Sequence, residues 1–283
     1  MEIIANPTSG KNNGNLVLQQ VQSYLNSRNI SYNVHLTKEV GHGKLLAQQL
    51  SHSGAKTIVA LGGDGTCHEV LNGIDFNKSR MGIIPSGRGN DYAMGTGISL
   101  DPCKTISAIV AGKFTDNDYI QVGNLRCLNV AGTGLDVSVL QHTANSSNKL
   151  SYTTSLAHCL LNYKPYSITV EVEGQVKQYS CVMVGVCNGT QFGGGIKLCP
   201  VAKHNDGFLD LVIIEKPVGI PTIFVMPGFV KGKHMNKSYV KHILCKQVKI
   251  ISNAPIELDG EIYQNEPFEA EIKPGGLKTF DYS

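Results

Sequence analysis

Leu61-Gly62-Gly63-Asp64-Gly65-Thr66 stands between a short apolar run, Thr57-Ile58-Val59-Ala60, and the segment Cys67-His68-Glu69-Val70-Leu71-Asn72-Gly73. The run reads as a buried strand and the segment after it as the opening turns of a helix. Three glycines at such a corner let the backbone bend sharply and approach a ligand closely. The amides at the new helix's N-terminus carry partial positive charge, which suits phosphate. Asp64 does not belong in a bare anion site. Among phosphates a carboxylate is repulsive unless it organises Mg²⁺ or takes a proton from a nucleophile. The bland alternative is a plain strand-turn-helix corner with a solvated Asp64.

Working outward, the first 120 residues alternate strand and helix patterns. Glu2 to Ala5 reads as a strand that ends in the small-residue turn Asn6-Pro7-Thr8-Ser9-Gly10-Lys11. Leu16, Leu18, Val21 and Leu25 then line one side of a helix, with Gln19, Gln20 and Gln22 between them. Ser31 to Leu36 is a second strand, Gly43 to Leu50 a second helix, and Met81 to Pro85 a fourth strand before Ser86-Gly87-Arg88-Gly89-Asn90-Asp91. This order predicts an open, doubly wound, mainly parallel sheet with helices on both faces. Ligands in such sheets gather at the C-terminal ends of the strands. Here the loops after strands one, three and four are all glycine-rich or polar.

After about Phe114 the texture changes. Tyr119–Val122, Cys127–Val130, Ile168–Val172, Val182–Val186, Leu209–Ile214, Val248–Ile251 and Phe268–Ile272 read as strands separated by Gly, Asn and Pro. They predict a second, antiparallel β-domain. The expected division is 1–118 for the α/β domain and 119–273 for a β-sandwich, with residues about 274–283 returning to the first. Two segments break the β pattern, Leu135 to Tyr163 and Ile220 to His234. The second sets Ile223, Phe224, Val225, Met226, Phe229 and Val230 beside Lys231, Lys233 and His234. It reads as a helix packed on the sheet or as a membrane-surface contact.

Composition excludes several classes. With 283 residues, 41% hydrophobic and 17% charged, the chain is a globule of about two domains, neither disordered nor fibrous. A formal net charge of +3 is too small to argue for nucleic acid. No apolar run approaches the roughly 18 residues of a membrane-spanning helix. Met1 to Pro7 lacks the pattern of a signal peptide, so the expectation is a cytoplasmic protein. Eight cysteines are scattered without any Cys-x-x-Cys. They read as reduced thiols, and zinc is not expected from their spacing.

Taken together, the motifs resemble the diacylglycerol kinase catalytic domain superfamily, which includes sphingosine, ceramide and bacterial lipid kinases. The resemblance rests on Gly62-Gly63-Asp64-Gly65-Thr66 with Glu69-Val70 and Asn72-Gly73, and spans nearly the whole chain. Asn6 to Lys11 is similar to the family's first loop and Pro85 to Asp91 to its third. Asn205-Asp206-Gly207-Phe208-Leu209-Asp210 and Leu258-Asp259-Gly260-Glu261 match two landmarks of its β-domain.

Residue chemistry and resemblance then divide the work. There is no Walker-type or protein-kinase signature, so phosphates must be held another way. The amides of Gly62, Gly63, Gly65 and Thr66 are natural candidates. The resemblance adds Asn6, Thr8, Thr37, Glu69, Ser86, Gly87, Arg88, Asn90 and Asp91 around ATP. Arg88 reads equally as a phosphate-bridging guanidinium or as a surface arginine. Asp64 is the first choice to organise Mg²⁺, through water. Asp259-Gly260-Glu261 reads locally as a tight Asp-Gly hairpin. The resemblance instead implies an acidic pair facing an interdomain cleft, with Glu261 the base, Asp259 its partner or substitute, and Asp64 the rival. It also implies a structural Mg²⁺ at Asp206 and the carbonyls of Lys203 and Phe208. The implied activity is transfer of the γ-phosphate of ATP to a membrane-lipid hydroxyl, diacylglycerol-like, by an enzyme that touches the bilayer reversibly; a homodimer is compatible with this reading. The rivals are a kinase of a soluble substrate such as NAD and a silent nucleotide- or lipid-binding protein.

Overall fold

The computed structural model describes residues 1–145, 155, 158–159, 165–215, 228 and 231–283. Most of 146–163 and 220–230, in the two segments that break the β pattern, lies outside them. The chain divides into two compact units, Met1–Asp118 with Pro274–Ser283, and Tyr119–Lys273. Among the described residues no helix is long and apolar enough to cross a membrane.

The first unit holds a four-stranded parallel sheet of β1 (Glu2–Ala5), β2 (Asn33–Leu36), β3 (Thr57–Gly62) and β4 (Arg80–Pro85), in the order β2-β1-β3-β4. Its central strands are short apolar runs with every residue from Ile58 to Leu61 fully buried, as expected where helices cover both faces. Helices α1 (Ser9–Asn26), α2 (His42–His52), α3 (Asp64–Gly73), α4 (Asp91–Thr96) and α5 (Pro102–Ala111) complete the unit. Ile3, Ala5, Val59, Leu61 and Ile84 alternate along their strands and share one core with α1 and α5. On the opposite face α2 and α3 pack together and against the sheet.

α1 corrects one expectation. Its buried stripe is Gly14, Val17, Leu18, Val21 and Leu25, whereas Leu16 is 60% exposed. The cause is periodicity: at 3.6 residues per turn, position 16 stands about 200° from position 18. Gly10, Lys11 and Asn12 are all left-handed, so the regular helix starts only after them. α5 was not legible as a helix, although Asp101 caps it by accepting from the Cys103 amide at 2.9 Å and Pro102 opens it.

The second unit is built on an antiparallel sheet that curls on itself. Its elements are β5 (Phe114–Val122), β6 (Leu125–Cys127), β7 (Val130–Gly134), α6 (Leu135–Asn145), β8 (Tyr166–Val172), β9 (Gln175–Cys187), β10 (Leu209–Glu215), β11 (Val240–Cys245), β12 (Gln247–Ile251), β13 (Ile256–Leu258), β14 (Glu261–Tyr263) and β15 (Phe268–Phe280). Ile120, Ala131, Val184, Leu211, Val248, Leu258 and Phe268, from seven of these strands, meet in one core. A second core, around Val130, Val182, Leu198, Val212 and Val240, lies on the opposite face.

The chain leaves the first unit within β5 and returns within β15. At the end of β15, Thr279 donates to the Met81 carbonyl at 2.7 Å, and just past it the Tyr282 hydroxyl accepts from the Ile83 amide at 2.7 Å. These bonds satisfy outward groups of β4, the edge strand of the parallel sheet. Burial pushes the Tyr282 phenol well above its usual range, so it stays neutral. Tyr282→Phe should strand the Ile83 amide and cost about 1–3 kcal/mol. The check is the urea midpoint, with an unchanged denaturant slope.

Candidate active site

The order β2-β1-β3-β4 reverses at β1 and β3, so their C-terminal ends form a topological switch point, where open α/β sheets bind ligands. The loops holding the sequence candidates meet there. The Asn6 amide bonds the Leu61 carbonyl at 2.9 Å, and the Ser86 amide bonds the Gly62 carbonyl at 2.8 Å, extending the ladder one step past the strands. Asn6 Nδ2 donates to Thr66 Oγ1 at 3.4 Å, while Asn6 Oδ1 accepts from the Thr8 amide and hydroxyl at 3.1 and 3.0 Å. The Ser9 and buried Ser86 hydroxyls pair at 2.7 Å. Thr37 follows β2, with its amide on the Ala5 carbonyl at 2.9 Å.

Two glycines are dictated by contact. A Cβ on Gly87 would overlap Gly63 Cα, so the loops after β3 and β4 touch backbone to backbone. A Cβ on Gly62 would overlap the Thr66 side chain, which folds back over it. With Gly63 extended as the cap, α3 begins at Asp64. Gly65 and Thr66 therefore lie in the first turn of this helix, where amides have no intrahelical acceptor and suit phosphate. Gly87 donates to Asn90 Oδ1 at 2.8 Å and Asn90 donates back at 3.1 Å, closing the third loop. Asp91 is buried at the start of α4, and Arg88 is exposed.

Glu69 is used differently from the other candidates. Its two oxygens accept from the amides of Gly41 and Gly43 at 2.7 and 2.8 Å, at the start of α2. It thereby ties the loop that follows Thr37 to α3. His68 is buried and its carbonyl accepts from Asn72 Nδ2 at 2.9 Å, in keeping with a packing residue.

In the second unit Leu258 pairs with Glu261 across the two-residue turn Asp259-Gly260, both residues at positive φ. This is the backbone of a primed hairpin turn, which Asp-Gly favours. The Asp259 carboxylate accepts from the amides of Leu128 and Asn129, both at 2.8 Å, and from the Cys127 thiol at 3.2 Å. That explains a correction: Cys127 to Val130 is not one strand. It splits into β6 and β7 because Leu128 and Asn129 give their amides to Asp259. The carboxylate is thus a fastener, and Glu261, one residue past the turn, is the exposed acid of the pair.

Beneath the turn lies a feature that sequence reasoning missed. Glu257, 2% exposed, accepts from the Gly260 amide at 2.8 Å. Asp136, 1% exposed at the start of α6, accepts from the Val137 amide at 2.9 Å. A Cβ on Gly132 would overlap Asp136 Oδ2 and lie 3.1 Å from Glu257 Oε1, so both carboxyls crowd this glycine. Glu257 sits in a three-residue strand buried on both sides, where alternation gives no warning. Burial pushes the Asp136 carboxyl up to about 7.

The loop before β10 carries Lys203, Asp206 and Phe208. Gly207 turns it at φ +76°, and Asp206 Oδ1 accepts from the Phe208 amide at 3.1 Å. One exposed carboxylate beside backbone carbonyls is a hard-oxygen donor set, which fits Mg²⁺ in kind.

Comparison with known proteins follows the same division. Residues 1–122 match the diacylglycerol kinase catalytic domain, and residues 129–281 match the YegS C-terminal NAD kinase beta sandwich-like domain. A protein of Enterobacter sp. (strain 638) described as "probable lipid kinase YegS-like" is 30% identical, covering 95% of this chain and 92% of its own. The diacylglycerol kinase of Bacillus subtilis (strain 168) is 29% identical over 92% of this chain and 88% of its own. A crystal structure of a diacylglycerol kinase from Bacillus anthracis str. Sterne shares the fold, with a TM-score of 0.81 at 24% identity over 99% of this chain and 96% of that one. The chain belongs to the diacylglycerol kinase and YegS family of lipid kinases. It is a lipid kinase-type enzyme.

The buried Asp136 gives a pH dependence with a definite sign. Its carboxyl rises from 3.8 to about 7 on folding, so the native chain holds the extra proton between those values. Stability should fall as pH rises through that window, by on the order of a few kcal/mol. In Asp136→Asn this part of the slope should vanish, as measured by urea unfolding at several pH values.

Proposed function

We propose that the chain transfers the γ-phosphate of ATP to the hydroxyl of a diacylglycerol-like lipid, with Mg²⁺ as cofactor. The observation that carries the reading is the joined set of loops at the switch point. Asn6 bonded to Thr66, Ser9 to Ser86, and Gly63 against Gly87 hold a phosphate-type helix N-terminus in a chain of this family.

Each residue then has a task. The amides of Gly65 and Thr66 receive phosphate oxygens, which their helix position leaves without intrahelical partners. Thr8, Thr37 and Arg88 border the nucleotide, while Asn90 and Glu69 keep their loops in place. Asp64, at the first turn of α3, holds water around Mg²⁺, and Asp206 with the Lys203 and Phe208 carbonyls holds a second ion. Bound Mg²⁺ supplies the charge neutralisation that phosphoryl transfer needs. Glu261 takes the proton from the lipid hydroxyl as it attacks. Asp259 keeps Glu261 at the end of a rigid turn. Because the acceptor resides in a bilayer, the enzyme works by reversible contact with a membrane surface.

The test is phosphate transfer from labelled ATP to mixed micelles of candidate lipids, with NAD as the soluble alternative. Labelled lipid dependent on Mg²⁺ supports the reading; labelled NADP with no labelled lipid overturns it. Asp64→Ala and Glu261→Gln should each lower turnover by about 10²–10⁴-fold, the usual worth of a positioned acid–base group, with the circular dichroism spectrum unchanged. Full activity in either variant removes that residue from the mechanism.

A further inference from the structure

Three neighbouring strands of the second unit, β9, β10 and β11, turn one face toward the loop of residues 188–208. On that face Cys187 stands opposite Asp210 in the register of β9 with β10. His242 of β11 stands opposite Val212, one diagonal step from Asp210. Cys199 reaches the same core from the loop, where its amide bonds the Thr190 carbonyl at 3.2 Å and its carbonyl accepts from Ala202 at 3.1 Å.

The four side chains converge. A sulfur of Cys199, a carboxylate oxygen of Asp210 and a ring nitrogen of His242 all lie within 4.8 Å of one another. Asp210 Oδ1 and His242 Nε2 are 2.6 Å apart. Cys187 hydrogen-bonds to Cys199, and both thiols are free of disulfides. Cys187, Cys199 and Asp210 are at most 2% exposed, and the His242 side chain, at 29%, stands at the rim.

From this geometry we infer a metal site for a borderline-soft divalent ion of the zinc class. Cys199, Asp210 and His242 are three ligands, and Cys187 or water is the fourth. Thiolate, imidazole and carboxylate together are a donor set of tetrahedral zinc, and thiolates disfavour Mg²⁺. Ligand atoms around zinc stand roughly 3–4 Å apart, so side-chain shifts of about 1 Å close the site. Binding would release the thiol protons as the sulfurs become bound thiolates. The site pins the 188–208 loop, which also carries Lys203, Asp206 and Phe208, onto the sheet.

The test uses the full chain, stripped with a chelator under reductant and titrated with Co²⁺ and then Zn²⁺. Expected is one equivalent of Co²⁺ with a thiolate charge-transfer band and the intense visible bands of tetrahedral cobalt, displaced by Zn²⁺ and not by Mg²⁺. Zn²⁺ should also raise the thermal midpoint. Cys199→Ser and His242→Gln should weaken binding by at least the 10–100-fold that loss of an outer-shell partner costs. His242→Gln sits at the rim and keeps a hydrogen-bonding partner for Asp210, so it preserves the fold. Cys103→Ser, at an exposed cysteine, should leave the bands intact. No saturable band in the unmodified chain, or equal bands in folded Cys199→Ser and His242→Gln, overturns the site.

Discussion

The closest constraint in the first unit is a contact without side chains, the approach of Gly63 to Gly87. Parallel strands β3 and β4 end side by side, and the next residues continue the ladder through the Ser86 amide and Gly62 carbonyl. At that separation there is room only for backbone. Any side chain at position 87 would push the third loop away from α3's N-terminus. It would also move Ser86, whose hydroxyl ties the first loop through Ser9. Three loops distant in sequence therefore share one geometry because two residues carry no Cβ.

The second unit reaches comparable rigidity through a charge. At Asp259 a carboxylate gathers two amides and a thiol from the connection between β6 and β7. Asn188 supports the same connection by donating to the Leu128 carbonyl at 2.7 Å, and the Asn188 and Gly189 amides bond the Asn129 carbonyl at 2.9 Å. Hydrogen bonds to a charged acceptor are stronger than neutral ones, and several on one carboxylate fix its orientation. The hairpin tip is held from the side by Asp259 and from below by Glu257 through the Gly260 amide. The backbone that presents Glu261 is thus fixed from two directions.

Acids in this chain consequently divide by their partners. Glu69, Asp259 and Glu257 spend their oxygens on backbone amides. Asp64 opens a helix and Glu261 is exposed. In sequence all five looked alike as acids near glycine or an apolar run. Legible features were those set by local rules: the strand-glycine-helix corner at Leu61 to Thr66, the alternation of the first unit, the antiparallel texture of the second and the Asp-Gly turn. Features set by distant partners were not. The left-handed break at Gly10 to Asn12, which delays the regular start of α1, belongs to the packed loop. The split of Cys127 to Val130 depends on a carboxylate more than 120 residues away. Asp136 and Glu257 became neighbours through the pairing of β7 with β13.

The cysteines make the same argument in its strongest form. Linear spacing reports metal sites built on one loop or one helix, where ligands are near in sequence. A sheet builds sites differently: residues on adjacent strands share a face whatever their separation along the chain. Cys187 and Asp210 are 23 positions apart in sequence yet stand directly across a ladder, and His242 arrives from the next strand. The absence of Cys-x-x-Cys therefore excludes only the local kind of site. What identifies the cross-strand kind is chemistry out of place. Two thiols, a carboxylate and an imidazole meet beside a core of Val130, Val182, Leu198, Val212 and Val240. In an apolar core, polar groups persist when something compensates their desolvation. The Asp210–His242 pair compensates only itself, and the two thiols beside it are what a cation would complete.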